Sequence, residues 1–322
     1  MADLKVWLVL IMLWVVIGST YIGIKISIDT IPPFLMSGTR YALSGGLLLL
    51  LYFLIPSKNY LTEGKLTRDY KIGIRSRIVQ LFGKKQWREA SIIGAALILG
   101  GQGLLTWGEQ FLSSSFTALL FSTIPIWILL LGKFLYKEKL KKFTILGVVL
   151  GSIGFIILIS PTLLAQFVEI NSSNTKFEIV GILALMVATL SWSGGSLYSS
   201  KADLPDSIFI STGMMLFVGG LLLLVLSVTT GELQKFHGDT ISRNSFISLI
   251  YLITVGSAGW VGFFWILRYT SATLANTFAY VSPVIAIILG WVILDEVITI
   301  QLVVATMIIM IGVVLIANRG KF

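Results

Sequence analysis

The chain has no cysteine among its 322 residues and only one histidine, His237. Disulfides, iron–sulfur ligation and thiolate nucleophiles are therefore excluded, and no cluster of His, Cys and carboxylate ligands is present for a zinc site. Charge is also scarce: 12% of residues are Asp, Glu, Lys or Arg, against about 25% in a soluble globular chain. No G-x-x-x-x-G-K-[S/T] phosphate loop occurs, so ATP is not an evident energy source. The paired carboxylates, metal cluster or activated nucleophile of an intramembrane enzyme are missing too. No metal or cofactor is expected, and the chain does not read as an enzyme.

What is abundant is hydrocarbon. Hydrophobic residues make up 56% of the chain and the mean hydropathy is +0.93. Apolar runs of about 20 residues recur along its length, each long enough to cross a hydrocarbon core of ~30 Å. The longest polar stretch, Ser57 to Arg88, reads as a loop, which leaves no segment for a soluble domain. The formal net charge of +9 is read as membrane sidedness and not as nucleic-acid binding. The first apolar run, Val6 to Ile24, exceeds a signal-peptide core and no A-x-A site follows, so it is expected to be a retained helix.

The runs lack the period-two alternation of barrel strands and predict ten helices. They cover approximately 5–27, 34–55, 90–110, 114–136, 143–160, 179–200, 207–228, 246–268, 270–293 and 298–317. With both termini in the cytoplasm, nineteen of the 24 Lys and Arg residues fall on the inner side. Three (Lys176, Lys235 and Arg243) fall outside, and Lys25 and Arg40 lie within or near spans. The excess of inner basic residues fixes the expected orientation.

Two stretches follow one template, 158 residues apart. Trp107, Pro125, Gly132, Glu138 and Gly154 recur without a gap as Trp265, Pro283, Gly290, Glu296 and Gly312. Gly45-Gly46 followed by four leucines recurs at Gly219-Gly220, and Gly18-Ser19-Thr20-Tyr21 recurs as Gly195-Ser196-Leu197-Tyr198. The repeat unit is five spans. Because five is odd, the two copies point in opposite directions. Glu138 precedes a basic stretch, Lys139 to Lys142, whereas Glu296 precedes none, which puts the first inside and the second outside. Inverted repeats of this kind are typical of secondary transporters. The expected organisation is a first repeat over 1–160, an outer linker over 161–178 and a second repeat over 179–322.

These residues resemble a known family. Leu13-Trp14, Gly18 to Lys25, Pro32-Pro33-Phe34 and Arg40 are similar to the opening of EamA-type permeases of the drug/metabolite transporter superfamily. Ser191 to Tyr198, and Ala279 to Pro283 with Gly290 and Glu296, are similar to the second EamA repeat. The chain has Ile17 where the family often has Trp directly before the first Gly-Ser, so Trp192 fits a cavity tryptophan better than Trp14 does. The resemblance implies an all-α membrane protein with ten transmembrane helices, arranged as two inverted five-helix repeats around a central cavity. It also implies cytoplasmic termini and export or exchange of small metabolites such as amino acids.

Candidate site residues follow from polar and aromatic positions that share helix faces. The substrate cavity is expected to involve Trp14, Tyr21, Gln102, Trp107, Trp192, Ser196, Tyr198, Trp260, Phe264, Trp265, Asn276, Thr277 and Tyr280. Arg40 lies ~9 Å below the outer end of its span at 1.5 Å per residue. With Lys25 and Glu109 it forms an expected outer charged gate or coupling group. Glu109 is the only glutamate expected inside a span. Glu138 and Glu296 read as helix caps. Pro125 and Pro283 are expected mid-helix, as kinks or hinges. Gly147 and Gly151 form a small-xxx-small element that suits packing within the chain more than a dimer face.

Together these readings predict a secondary transporter of the cell membrane, the inner membrane of a bacterium. It would export or exchange an amino-acid-like or aromatic metabolite by alternating access. A channel or facilitator and an intramembrane lipid-modifying enzyme are the alternatives. The expected partners are a small-molecule substrate and the lipid bilayer, with no nucleic acid, in a monomer or homodimer.

Overall fold

The structure is a computed structural model. It describes residues 4–54, 83–112, 117, 120–137, 141–169, 175–236, 238–282, 284–285 and 300–319. Among them there is no strand. The main helices are α1 (Leu4–Ile28), α2 (Pro33–Leu54), α3 (Lys84–Gly108), α4 (Ile124–Tyr136), α5 (Lys142–Glu169), α6 (Thr175–Ser199), α7 (Ile208–Thr229) and α8 (Arg243–Tyr269). A short helix, α9 (Ala272–Ala275), is followed by two turn residues and a helical segment over 278–282, and α10 (Ile300–Arg319) ends the fold.

Local chemistry sets several helix ends. Ser242 caps α8, its hydroxyl accepting from the Ser245 N–H at 3.1 Å. Lys137 stops α4 in the left-handed conformation, φ 53°. The Glu232 carboxylate accepts from the backbone N–H groups of Phe34 (3.3 Å) and Leu35 (2.9 Å), at the start of α2 where helix donors lack partners. Pro125 stands in the first turn of α4 and not mid-helix. Turn residues 122–123 interrupt the helix before it, so its missing N–H breaks no ladder bond. Pro283, Glu138 and Glu296 lie outside the described residues.

Among the described residues, five helical stretches are long and apolar enough to cross a membrane: Pro33–Tyr52, Lys84–Gly108, Ile179–Ser199, Ile208–Thr229 and Arg243–Tyr269. Shorter apolar stretches lie in α1, α4, α5 and α10. Large apolar side chains such as Leu50, Phe134, Leu183 and Val225 are exposed. A membrane accounts for such a surface; water does not.

The helices pack in antiparallel pairs. α2 lies along α7, α5 along α10, α1 along α8 and α3 along α6. In α5–α10 the backbones nearly touch: a Cβ on Gly147 would sit 2.6 Å from the Gly312 carbonyl oxygen. Only glycine permits that approach, and it uses the Gly147–Gly151 element inside the chain. Serine hydroxyls bind carbonyls across two of the other pairs. Ser245 donates to Ile26 and Ser248 to Gly23 between α8 and α1, and Ser191 donates to Ala96 between α6 and α3, each at 2.8 Å.

The middle of α3, Ala95–Gly103, is a π-helix. It contains Gly100, Gly101 and Gly103, residues that hold an α-helix weakly. Its wider turn alters the 3.6-residue phase and carries Gln102 into the centre of the bundle.

Candidate functional site

A narrow cavity of about 30 Å³ lies at that centre, with room for about two waters. Its lining comes from both halves of the chain. Val16, Ile17, Thr20 and Ile24 come from α1, Arg40 and Tyr41 from α2, and Gln102 and Leu105 from α3. Trp192 comes from α6, Gly256 and Trp260 from α8, and Phe278 from the segment after α9.

One end of the cavity is closed by aromatic rings. Trp192 lies 5.5 Å from Trp260, 5.5 Å from Phe263 and 5.8 Å from Phe278, centroid to centroid. Trp260 also meets Tyr41 edge-on at 5.6 Å. Such pairs add about 0.5–1.5 kcal/mol each beyond burial, so the cluster is a firm wall.

The break between α9 and segment 278–282 is held by two indoles. Trp192 Nε1 donates to Asn276 Oδ1 at 2.6 Å, and Trp14 Nε1 donates to Thr277 Oγ1 at 3.2 Å. One indole comes from each repeat. Asn276 and Thr277 are fully buried and also donate to the carbonyls of Ala272 and Leu274. Buried polar groups at an unwound turn need such partners, which fixes the break in place.

The other expected residues fall in several places. Tyr41 donates to Gln102 Oε1 at 3.0 Å inside the cavity. Tyr280 is buried away from it, with its hydroxyl 3.0 Å from Ser152 Oγ on α5. Phe264 borders a second, polar cavity of about 60 Å³ with Ser199, Ser211 and Arg268. Ser196 is buried on α6, its hydroxyl without a protein partner among the described residues. Trp107 packs on Phe111 and Trp265 on Tyr269, and neither borders the cavity. Glu109 follows the last residue of α3. The side chains of Tyr21 and Lys25 lie outside the described residues.

Sequence reasoning missed Glu89. Because α3 begins at Lys84, six residues before the expected start, this carboxylate lies within the helix and is buried. Tyr198 donates a short hydrogen bond to one of its oxygens, and Arg88 pairs with the other at 3.0 Å. Close by, Lys85 pairs with Asp203 at 2.7 Å and the Lys201 ammonium sits 3.7 Å above the Tyr136 ring. These contacts join α3 and α4 to the end of α6 and the loop after it. The sequence signal was Lys85 four residues before Glu89, which puts the two on one helix face.

The sequence profile of the EamA-like transporter family matches residues 5–160 and again 179–318. The chain belongs to the EamA-like transporter family. It is 28% identical over 280 residues to the uncharacterized inner membrane transporter YedA of Escherichia coli K12, covering 86% of this chain and 79% of that one. It is 27% identical over 311 residues to the uncharacterized transporter YoaV of Bacillus subtilis, covering 96% and 95%. A solved crystal structure superposes with a TM-score of 0.69 at 15% identity, covering 98% of this chain and 99% of the other. That likeness establishes the fold. Family, relatives and exposed apolar helices together make this EamA-like chain a multi-pass membrane protein of a transporter family.

Proposed function

We propose that this chain is a secondary transporter that exports or exchanges a small organic metabolite, amino-acid-like or aromatic, by alternating access through the central cavity. In this reading ten helices cross the cell membrane, an inner membrane as named for the Escherichia coli relative. Both termini are cytoplasmic, and the five-helix halves are inverted copies.

The observation that carries the reading is that the cavity is built from both halves at once, α1 to α3 on one side and α6, α8 and the α9 segment on the other. A solute bound there touches two bodies that can rock against each other. The packing supports the inverted arrangement. Advancing each helix number by five converts α1–α8 into α6–α3 and maps α2–α7 and α5–α10 onto themselves. The correspondence extends to single contacts. A Cβ on Gly154 would lie 2.9 Å from Ile309 N, and one on Gly312 would lie 2.8 Å from Gly151 N. The 158-residue offset between the repeats exchanges these two contacts.

Gating groups lie at both ends of the cavity. Glu89 and Tyr198 join the halves at the end carrying the start of α3, and the exposed Lys85–Asp203 pair lies beside them without gating access. Glu232 joins the halves at the start of α2, and so does Thr30, which accepts from Ser242 N at 3.2 Å. A cavity with room for about two waters is too small for an amino acid, so solute entry requires the aromatic wall or one of these ends to move.

The test is counterflow in liposomes. Purified protein is screened by thermal shift against aromatic and aliphatic metabolites, and each hit is then preloaded on one side. Saturable accumulation of labelled solute against its own gradient supports the transporter. Single-channel current steps without counterflow contradict it.

A further inference from the structure

We propose that the central cavity is a carboxylate site and that the guanidinium of Arg40 is its anchor. This rests on the transport reading and names the class of solute: a small organic acid whose apolar or aromatic body lies against Trp192 and Trp260.

The argument starts from the state of Arg40. Its side chain is 4% exposed, within the membrane-crossing stretch Pro33–Tyr52. Arginine keeps its charge in any protein environment, so burial does not neutralise it. A buried ion costs several kcal/mol unless it is paired and its donors are bonded. Yet among the described residues Arg40 forms no ion pair, and no protein oxygen accepts from its guanidinium. Its neighbours include the Tyr41 ring, 4.8 Å from Cζ, and the space left by Gly256 on α8. A cation–π contact offsets only part of the cost of burying the charge. The Glu232 carboxylate is bonded to the Phe34 and Leu35 N–H groups, more than a turn before Arg40 on α2.

The surroundings are built to keep the guanidinium where it is. A Cβ on Gly256 would lie 3.3 Å from Nη2, so the glycine leaves the space that the head group fills. Tyr41 closes one face of the guanidinium, and Arg40 lines the cavity. Its five donors form a planar fork that matches a carboxylate bidentately. Gln102 lines the same cavity, its Oε1 accepting from Tyr41, and its amide group carries two donors of its own. Beyond the charge, Trp260 and Trp192 provide apolar surface. A cation beside an aromatic wall, with no carboxylate among the described residues that line the cavity, selects an organic anion over an amine.

The test uses the full-length protein in detergent and follows intrinsic tryptophan fluorescence and melting temperature. The probes are acetate, hexanoate, 3-phenylpropionate and phenylalanine, each compared with its primary amide. Wild type should bind at least one acid about tenfold or more tightly than its amide, and phenethylamine should not compete. Arg40→Lys should keep the preference at reduced affinity, and Arg40→Gln should abolish it. Equal binding of acid and amide by wild type, which needs no variant to fold, overturns the proposal. So does binding of no acid, retention of the preference in Arg40→Gln, or complete displacement by chloride, which would make the site one for inorganic anions. The two readings fail separately. Counterflow of neutral or cationic solutes without acid preference removes the carboxylate site and leaves the transporter. Acid binding without exchange does the reverse.

Discussion

Trp192 in α6 donates its indole N–H to the Asn276 side-chain carbonyl at 2.6 Å, tying the middle of the second repeat's first helix to the break after α9. Trp14, near the corresponding position in the first repeat, reaches the neighbouring Thr277 at 3.2 Å. The two bonds differ in what their loss leaves behind. Trp192→Phe strands a buried amide oxygen, at a cost of about 1–3 kcal/mol. Trp14→Phe removes a longer bond to a hydroxyl that still donates to Leu274, at about 0.5–1.5 kcal/mol. Thermal melting in detergent should rank Trp192→Phe as the more damaging. The reverse order would contradict the assigned bonds.

The Glu89 contacts should govern access at their end of the bundle. Glu89→Ala removes the acceptor of the Tyr198 hydroxyl and the partner of Arg88. We predict faster maleimide labelling of Ser199→Cys beside the second cavity, a clean reporter because the chain has no other cysteine. Lys85→Ala should leave the labelling rate within about twofold, because its pair with Asp203 is 58% and 62% exposed and exposed pairs contribute about 0–1 kcal/mol.

Glycine substitutions should separate the tight interface from the lipid-facing surface. Gly147→Val pushes side-chain atoms into the Gly312 carbonyl and should cost about 1–3 kcal/mol, read as a lowered melting temperature. Gly46→Ala meets nothing within 4 Å. It should hold or raise the melting temperature, by up to about 1 kcal/mol of helix propensity.

Tyr280 and Tyr41 should part company in transport assays. Tyr280→Phe loses a bond to Ser152, which keeps its own bond to Val148. A stability loss of about 0.5–1.5 kcal/mol with unchanged KM is expected. Tyr41→Phe frees Gln102 beside Arg40 in the cavity and should change KM for the transported solute.

Much of the fold was legible in the sequence because a bilayer imposes a simple code. Apolar run length marks helices, and the described helices fall where those runs lie. The recurrence of Trp, Pro and Gly marked the repeat. Three features were not legible. The polar first turns of α3, Lys84 to Glu89, lack the apolar signature of a span, so the buried Glu89 was overlooked. The π-helix over Ala95–Gly103 shifts a phase that regular spacing assumes. Pro125 read as a mid-helix kink, and only the interruption at 122–123 makes it a helix start. In the site, Trp192, Trp260 and Gln102 could be placed from helix faces. The separation of Tyr280, Trp107 and Trp265 from the cavity could not, because it depends on which neighbour each face meets.

The inverted two-fold arrangement is the central claim, and sidedness tests it most directly. Glu138→Cys and Glu296→Cys occupy equivalent positions in the two repeats and enter a chain that has no cysteine of its own. Intact cells are treated with a membrane-impermeant maleimide, then permeabilised and treated again. The account predicts labelling of Glu296→Cys in intact cells and of Glu138→Cys only after permeabilisation. Labelling of both from the same side would contradict it.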